Sequence, residues 1–174
     1  MAAVNALSRD RQAVVLDTNL WSHGRLDIGA LADLATRLRA YDVEVWIPLQ
    51  VVLEWARHAS DDAELAAPAW NRLRRCGLVQ GRFPVVRDVT TMVDQLFDGL
   101  RGLNNVRVLA MRGASAIAGI TDQILGIGAG TVRTGTRTGA ADSSWIRDAL
   151  ATAQHDTGRI VFVTANIKGC LPGP

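Results

Sequence analysis

The stretch QAVVLDTN, residues 12–19, runs four apolar residues straight into a carboxylate, a hydroxyl and an amide. Ala13 to Leu16 is short and rich in β-branched residues, as a strand buried on both faces of a parallel sheet should be. Asp17-Thr18-Asn19 then falls at the carboxyl end of that strand, where such sheets present their chemistry. Working outward, Leu31, Leu34, Ala35 and Leu38 recur at i, i+3, i+4, i+7 and predict a helix from Ile28 to Tyr41. Val43 to Ile47 reads as a second strand. Pro48 suits the first turn of the next helix, and Leu49, Val52, Leu53 and Ala56 form its apolar face. Pro68 divides the following helical composition, residues 60–75, into two pieces. Val89 to Leu103 predicts a helix and Val106 to Leu109 a strand. The glycine-rich region from Gly119 to Gly139 contains TVRTGTRT, residues 131–138, which reads as a loop. A helix from Asp142 to Gln154 and a strand from Ile160 to Val163, ending in Thr164-Ala165-Asn166, complete the pattern. Alternating strands and helices specify an α/β fold around a mostly parallel sheet.

The 174 residues suit one domain, able to bury roughly 70% of the surface of its unfolded chain without metal or disulfide staples. With 48% hydrophobic and 21% charged residues, disordered and fibrous classes are excluded. No run nears the ~20 apolar residues of a membrane span and none resembles a signal peptide, so a cytoplasmic protein without a membrane partner is expected. Cys76 and Cys170 lack metal-ligand spacing and read as reduced thiols. The net charge of +2 is unevenly spread: from Arg101 onward eight Arg/Lys face four Asp, whereas the earlier part has eleven bases against thirteen acids. All but one of the bases are Arg, a good fork for phosphate, and this favours an anionic polymer as partner.

A single acid makes no metal site, but two others are placed to converge on Asp17. Glu54 lies in the second helix, in PLQVVLE, and Asp142 opens the last one, in GAAD. Three carboxylates around one cleft suit a hard cation such as Mg²⁺ or Mn²⁺. In this arrangement VVLDTN, IPLQVVLEWARH, GAADSSW and VFVTAN, in that order along nearly the whole chain, resemble a PIN-domain ribonuclease. The Pro-initiated helix with Glu54 and His58, and Gly-Ala-Ala-Asp before a hydrophobic helix, are similar to a PIN-like branch other than the short toxin type. The resemblance implies a single PIN-like domain over residues 1–174, a three-layer α/β/α fold with four or five strands, and metal-dependent endonucleolytic hydrolysis of RNA. It further implies Asp17, Glu54 and Asp142 as catalytic and metal-binding residues, with Asn19, Thr164, Asn166 and His58 holding those ligands in place. Single-stranded RNA is the implied substrate. Arg133, Arg137 and Lys168 are the bases nearest the expected mouth and are candidates for phosphate contact. A homodimer and an antitoxin-like protein are compatible partners that no residue pattern selects.

The final motif departs from the Thr-x-Asp-x-x-Asp-Phe pattern of many PIN domains, with Asn166, Gly169 and Cys170 at the last three specified positions. One carboxylate fewer implies weaker metal binding, and a weakened RNA- or protein-binding module is the alternative. A haloacid-dehalogenase-type phosphatase also places an Asp after an apolar strand. Its second acid would fall at Asn19, however, and too little chain follows Thr164 for its last motif. Each acid has an ordinary reading as well. Asp17 and Asn19 can cap a turn, Asp142 an N-terminus, and Glu54 can share a solvated stripe with Gln50, Arg57 and Asp61. His58 can bond locally, and His23 and His155 have no supporting neighbours. Asp148, six residues after Asp142, reads as lying on another face of its helix.

Overall fold

A computed structural model describes residues 11–21, 24–84, 87–129, 132–133 and 136–165. The described strands are β1 (Ala13–Leu16), β2 (Glu44–Pro48), β3 (Val106–Leu109), β4 (Val132–Arg133), β5 (Thr136–Arg137) and β6 (Ile160–Val163). The α-helices are α1 (Ile28–Arg39), α2 (Leu49–Arg75), α3 (Val89–Arg101), α4 (Gly113–Leu125) and α5 (Ala140–Thr152). Four strands form an all-parallel sheet in the order β3-β2-β1-β6, and β4 and β5 pair antiparallel as a separate ladder.

The sheet separates two apolar layers because strand side chains alternate between faces. Val14, Leu16, Val45 and Ile47 point to one side and pack with Leu31, Ala35 and Leu38 of α1, Val51, Val52 and Trp55 of α2, and Leu100 of α3. Ala13, Val15 and Trp46 point to the other and meet Trp145 and Ala149 of α5. The register explains this division, since Val15 stands between Trp46 and Phe162. This is the expected three-layer α/β/α arrangement. The general preference for right-handed crossovers accounts for the sidedness: the chain steps from β1 to β2 to β3 in one direction, then returns to place β6 beyond β1, so the later helices cover the opposite face. The reversal creates a switch point between β1 and β6, outside whose carboxyl ends a crevice is expected.

Several boundaries differ from the sequence reading. Helix α2 runs unbroken through Pro68. The carbonyl that loses its partner there is that of exposed Glu64, where water can replace the missing N–H. Helix α4 occupies a stretch to which the sequence reading assigns no element. Its Gly119 is a packing requirement, because a Cβ there would lie 2.3 Å from the Ala140 carbonyl oxygen of α5. The TVRTGTRT segment contains the short β4–β5 ladder and is not wholly loop. Helices α1 and α3 stop two residues earlier than expected, at Arg39 and Arg101, and α5 begins at Ala140 and ends at Thr152. None of the helices among the described residues is long and apolar enough to cross a membrane.

Candidate functional site

Asp17 stands at the switch point. Its backbone N–H donates to the Val163 carbonyl at 3.0 Å, extending the β1–β6 ladder, and its Oδ2 accepts from Thr164 Oγ1 at 2.5 Å. The residues that directly follow the two strands are thus tied together. Asp17 precedes a 3-10 turn, Thr18–Leu20, but its side chain makes no capping bond there. The turn-capping reading therefore fails, and the carboxylate is spent on the neighbouring strand.

Glu54 reaches the same region from the second turn of α2. Its Oε2 accepts a hydrogen bond from Thr18 Oγ1, while the Thr18 carbonyl accepts one from Trp55 Nε1 at 3.2 Å. The solvated-stripe reading holds only for the later part of α2, where Arg57 and Asp61 form an exposed ion pair at 2.8 Å. Gln50 is buried, donating to Ser144 Oγ at 3.1 Å, and Glu54 is half-buried. Burial raises the pKa of Glu54 above its ordinary 4.5. The Thr18 bond opposes the rise, the Asp142 and Asp17 carboxylates add to it, and His58 lowers it. Like charges in a partly dry place disfavour ionisation in this way. Glu54 thus lies within reach of the charges of both Asp17, just after β1, and Asp142, in the first turn of α5.

Asp142 lies in the first turn of α5, but Gly139 occupies the N-cap position, so the acid is not the cap. It accepts from Trp145 Nε1 at 3.3 Å. Among the described residues neither Asp17 nor Glu54 has an Arg or Lys ion-pair partner. Carboxylates removed from water with no Arg or Lys beside them are suited to pair with a cation, and oxygen donors of this kind match Mg²⁺ or Mn²⁺. The donors are not closed into a shell: no three His, Cys, Asp or Glu side chains among the described residues are set to hold one ion together. An ion held here would therefore take some of these carboxylates through water, as Mg²⁺ commonly does.

His58 does not bond locally. Its Nδ1 pairs with the Gly24 carbonyl oxygen at 2.8 Å, fastening α2 to the segment after the 3-10 turn. Gly24 is required at φ +66°, where a Cβ would meet the imidazole at 2.6 Å. Asn19 is exposed on the turn. The backbones of Arg133 and Arg137 lie in the β4–β5 ladder. His23, Asn166, Lys168, Gly169 and Cys170 lie outside the described residues.

The sequence reading gives no site role to three residues that the structure sets beside the acids or between their helices. Thr18 is buried, and it was passed over for Asn19 although strand alternation sends consecutive residues to opposite sides. Trp145 combines a core ring with an N–H on Asp142. Asp148 is fully buried, accepting from the Arg112 N–H at 3.3 Å and from Gln50 Nε2 at 3.4 Å. With Gln50 and Ser144 it joins α2 to α5, the helices that carry Glu54 and Asp142. Compared with protein-family models, curated proteins and solved structures, the chain matches none of them.

Proposed function

We propose that the protein is a Mg²⁺- or Mn²⁺-dependent endonuclease acting on RNA, with Asp17, Glu54 and Asp142 as its catalytic carboxylates. The observation that carries the reading is the meeting of two carboxylates at the carboxyl end of the sheet, Asp17 tied to Thr164 and Glu54 bonded to the adjacent Thr18, with Asp142 near enough to add to the raised pKa of Glu54. A bound divalent ion supplies charge stabilisation of the scissile phosphate and a water of lowered pKa. Asp17, held rigidly by β1 and by Thr164, is the central anchor for that ion. Glu54 is oriented by Thr18 and Asp142 by Trp145, so neither carboxylate must be ordered when substrate arrives. Raised affinity of Glu54 for a proton also suits it to accept one from an attacking water. Arg133, Arg137 and Lys168 are proposed phosphate contacts, and RNA as opposed to DNA rests on the PIN-like motifs alone.

A weakened, non-cleaving RNA- or protein-binding module is the second reading, favoured by Gly169 in place of an acid and by the open arrangement of the donors. The haloacid-dehalogenase-type phosphatase is disfavoured, because exposed Asn19 stands where its second acid would be. The test is cleavage of single-stranded RNA in Mn²⁺ by the wild type and by Asp17→Asn. The wild type is expected to cut and the variant to lose at least about 100-fold of the rate, with a melting temperature equal or higher because one repelling charge is gone. Metal binding without cleavage by the wild type would favour the module. Equal cleavage by the variant would remove Asp17 from the mechanism.

A further inference from the structure

Helix α4 is turned inside out relative to an ordinary amphipathic helix. The side it lays on α5 carries the buried residues Ser115, Gly119 and Asp122, all small or polar. The side it turns to solvent carries Ile117, Ile120 and Ile124 at i, i+3, i+7, continued by Leu125 and Ile127, each more than half exposed. A surface helix normally does the opposite.

The orientation is locked. Gly119 admits the Ala140 carbonyl so closely that no side chain fits between, and Gln123 Oε1 accepts from the Ala140 N–H at 3.0 Å. Asp122 Oδ2 pairs with Arg147 at 2.8 Å, and that hydrogen bond lowers the Asp122 pKa. Rotating the helix to bury its isoleucines would break all three contacts.

We infer that this outer face of α4 is the interface through which two copies of the chain associate. Two quantities favour a second copy. At about 180 Å² per residue the five exposed side chains offer on the order of 600 Å², at the upper limit of the largest apolar patch of a typical monomer. Doubled across a two-fold axis this is about 1,200 Å², the lower end of what a specific, stable interface buries. Charge is the second. From Gly113 to Gly128 the only charged side chain is Asp122, and it is buried and paired. An isologous interface sets each residue near its own copy or that of a neighbour, so a face free of charge meets itself without repulsion.

Sedimentation velocity on the intact chain from about 1 to about 100 µM, where mass action drives association, should show a species of twice the 18.7 kDa chain mass growing with concentration. The Ile120→Glu, Ile124→Glu variant should weaken the dimer at least about 100-fold by setting like charges together. Its fold is checked by circular dichroism. If that variant does not fold, hydrogen exchange of the unmutated protein decides: residues 113–127 should gain protection between the dilute and concentrated samples. A wild type that stays monomeric throughout overturns the inference, whether the face is covered by another protein or by this chain's own residues 166–174. So does a dimer that survives in the folded variant, or one whose protection falls elsewhere.

Discussion

Thr18 shows how much one hydroxyl sets at this site. It is buried beside β1, donates to Glu54, and through its carbonyl receives Trp55. Its hydrogen bond is the larger of the two influences that hold the Glu54 pKa down against burial and against Asp142 and Asp17. Thr18→Val keeps the shape and removes the donor. The Glu54 titration, followed by NMR of the side-chain carboxyl, should move to higher pH, and stability at pH 7 should fall by about 1 kcal/mol. A titration that stays in place would mean the hydroxyl does not govern that carboxylate. Thr18 was not legible as a site residue because sequence alone does not show which of three consecutive polar residues faces inward. Asp17 was legible, since any residue ending a buried central strand must lie at the sheet edge.

At the level of elements, the contact between α4 and α5 decides where Asp142 sits. Gly119 of α4 lies against Ala140, two residues before that acid. Gly119→Ala should be destabilising despite the better helix propensity of alanine, because its methyl would overlap a backbone oxygen that cannot swing aside. We expect a cost of about 1–3 kcal/mol, measured by urea denaturation, together with reduced metal binding in a sample that remains folded. A neutral or stabilising result would show that the two helices separate easily. The same contact explains why α4 is hard to see in the sequence: a glycine needed for close approach, Gly119, looks like a loop signal. Pro68 misled in the opposite sense, because an exposed helix tolerates the lost bond that a buried one would not.

For the whole molecule, the raised pKa of Glu54 predicts a stability that depends on pH and, if the proposed metal site is correct, on divalent cations. The folded Glu54 pKa lies above its ordinary 4.5, so between those values the folded state binds more protons than the unfolded one. The stabilisation is complete below about 4.5 and is lost as pH rises through the raised pKa. Metal-free protein should therefore become less stable from pH 4.5 upward on account of this group, and Glu54→Gln should flatten that slope. Millimolar Mn²⁺ should restore the loss at neutral pH, as a ligand of the folded state does. Thermal melts against pH, with and without Mn²⁺, test both. A slope unchanged in Glu54→Gln would show that other groups carry the dependence, and indifference to Mn²⁺ at pH 7 would count against a metal site.

The strands β1, β2, β3 and β6, the α/β class and the placing of Asp17 and Thr164 at strand ends were all determined by the sequence, because apolar runs and strand period are properties of neighbours along the chain. The same holds for Glu54 on the second helix and Asp142 at the start of the last. Only the tertiary structure decided that β6 joins the sheet beside β1, which ties Thr164 to Asp17 across the switch point. It alone decided that Thr18 and not Asn19 turns inward, that fully buried Asp148 links α2 to α5, and that α4 shows its isoleucines to solvent. The physical reason is common to all four. Each is settled by which surfaces meet, by a close approach at Gly119 or a hydrogen bond between residues far apart in the chain, and local pattern carries no information about such meetings.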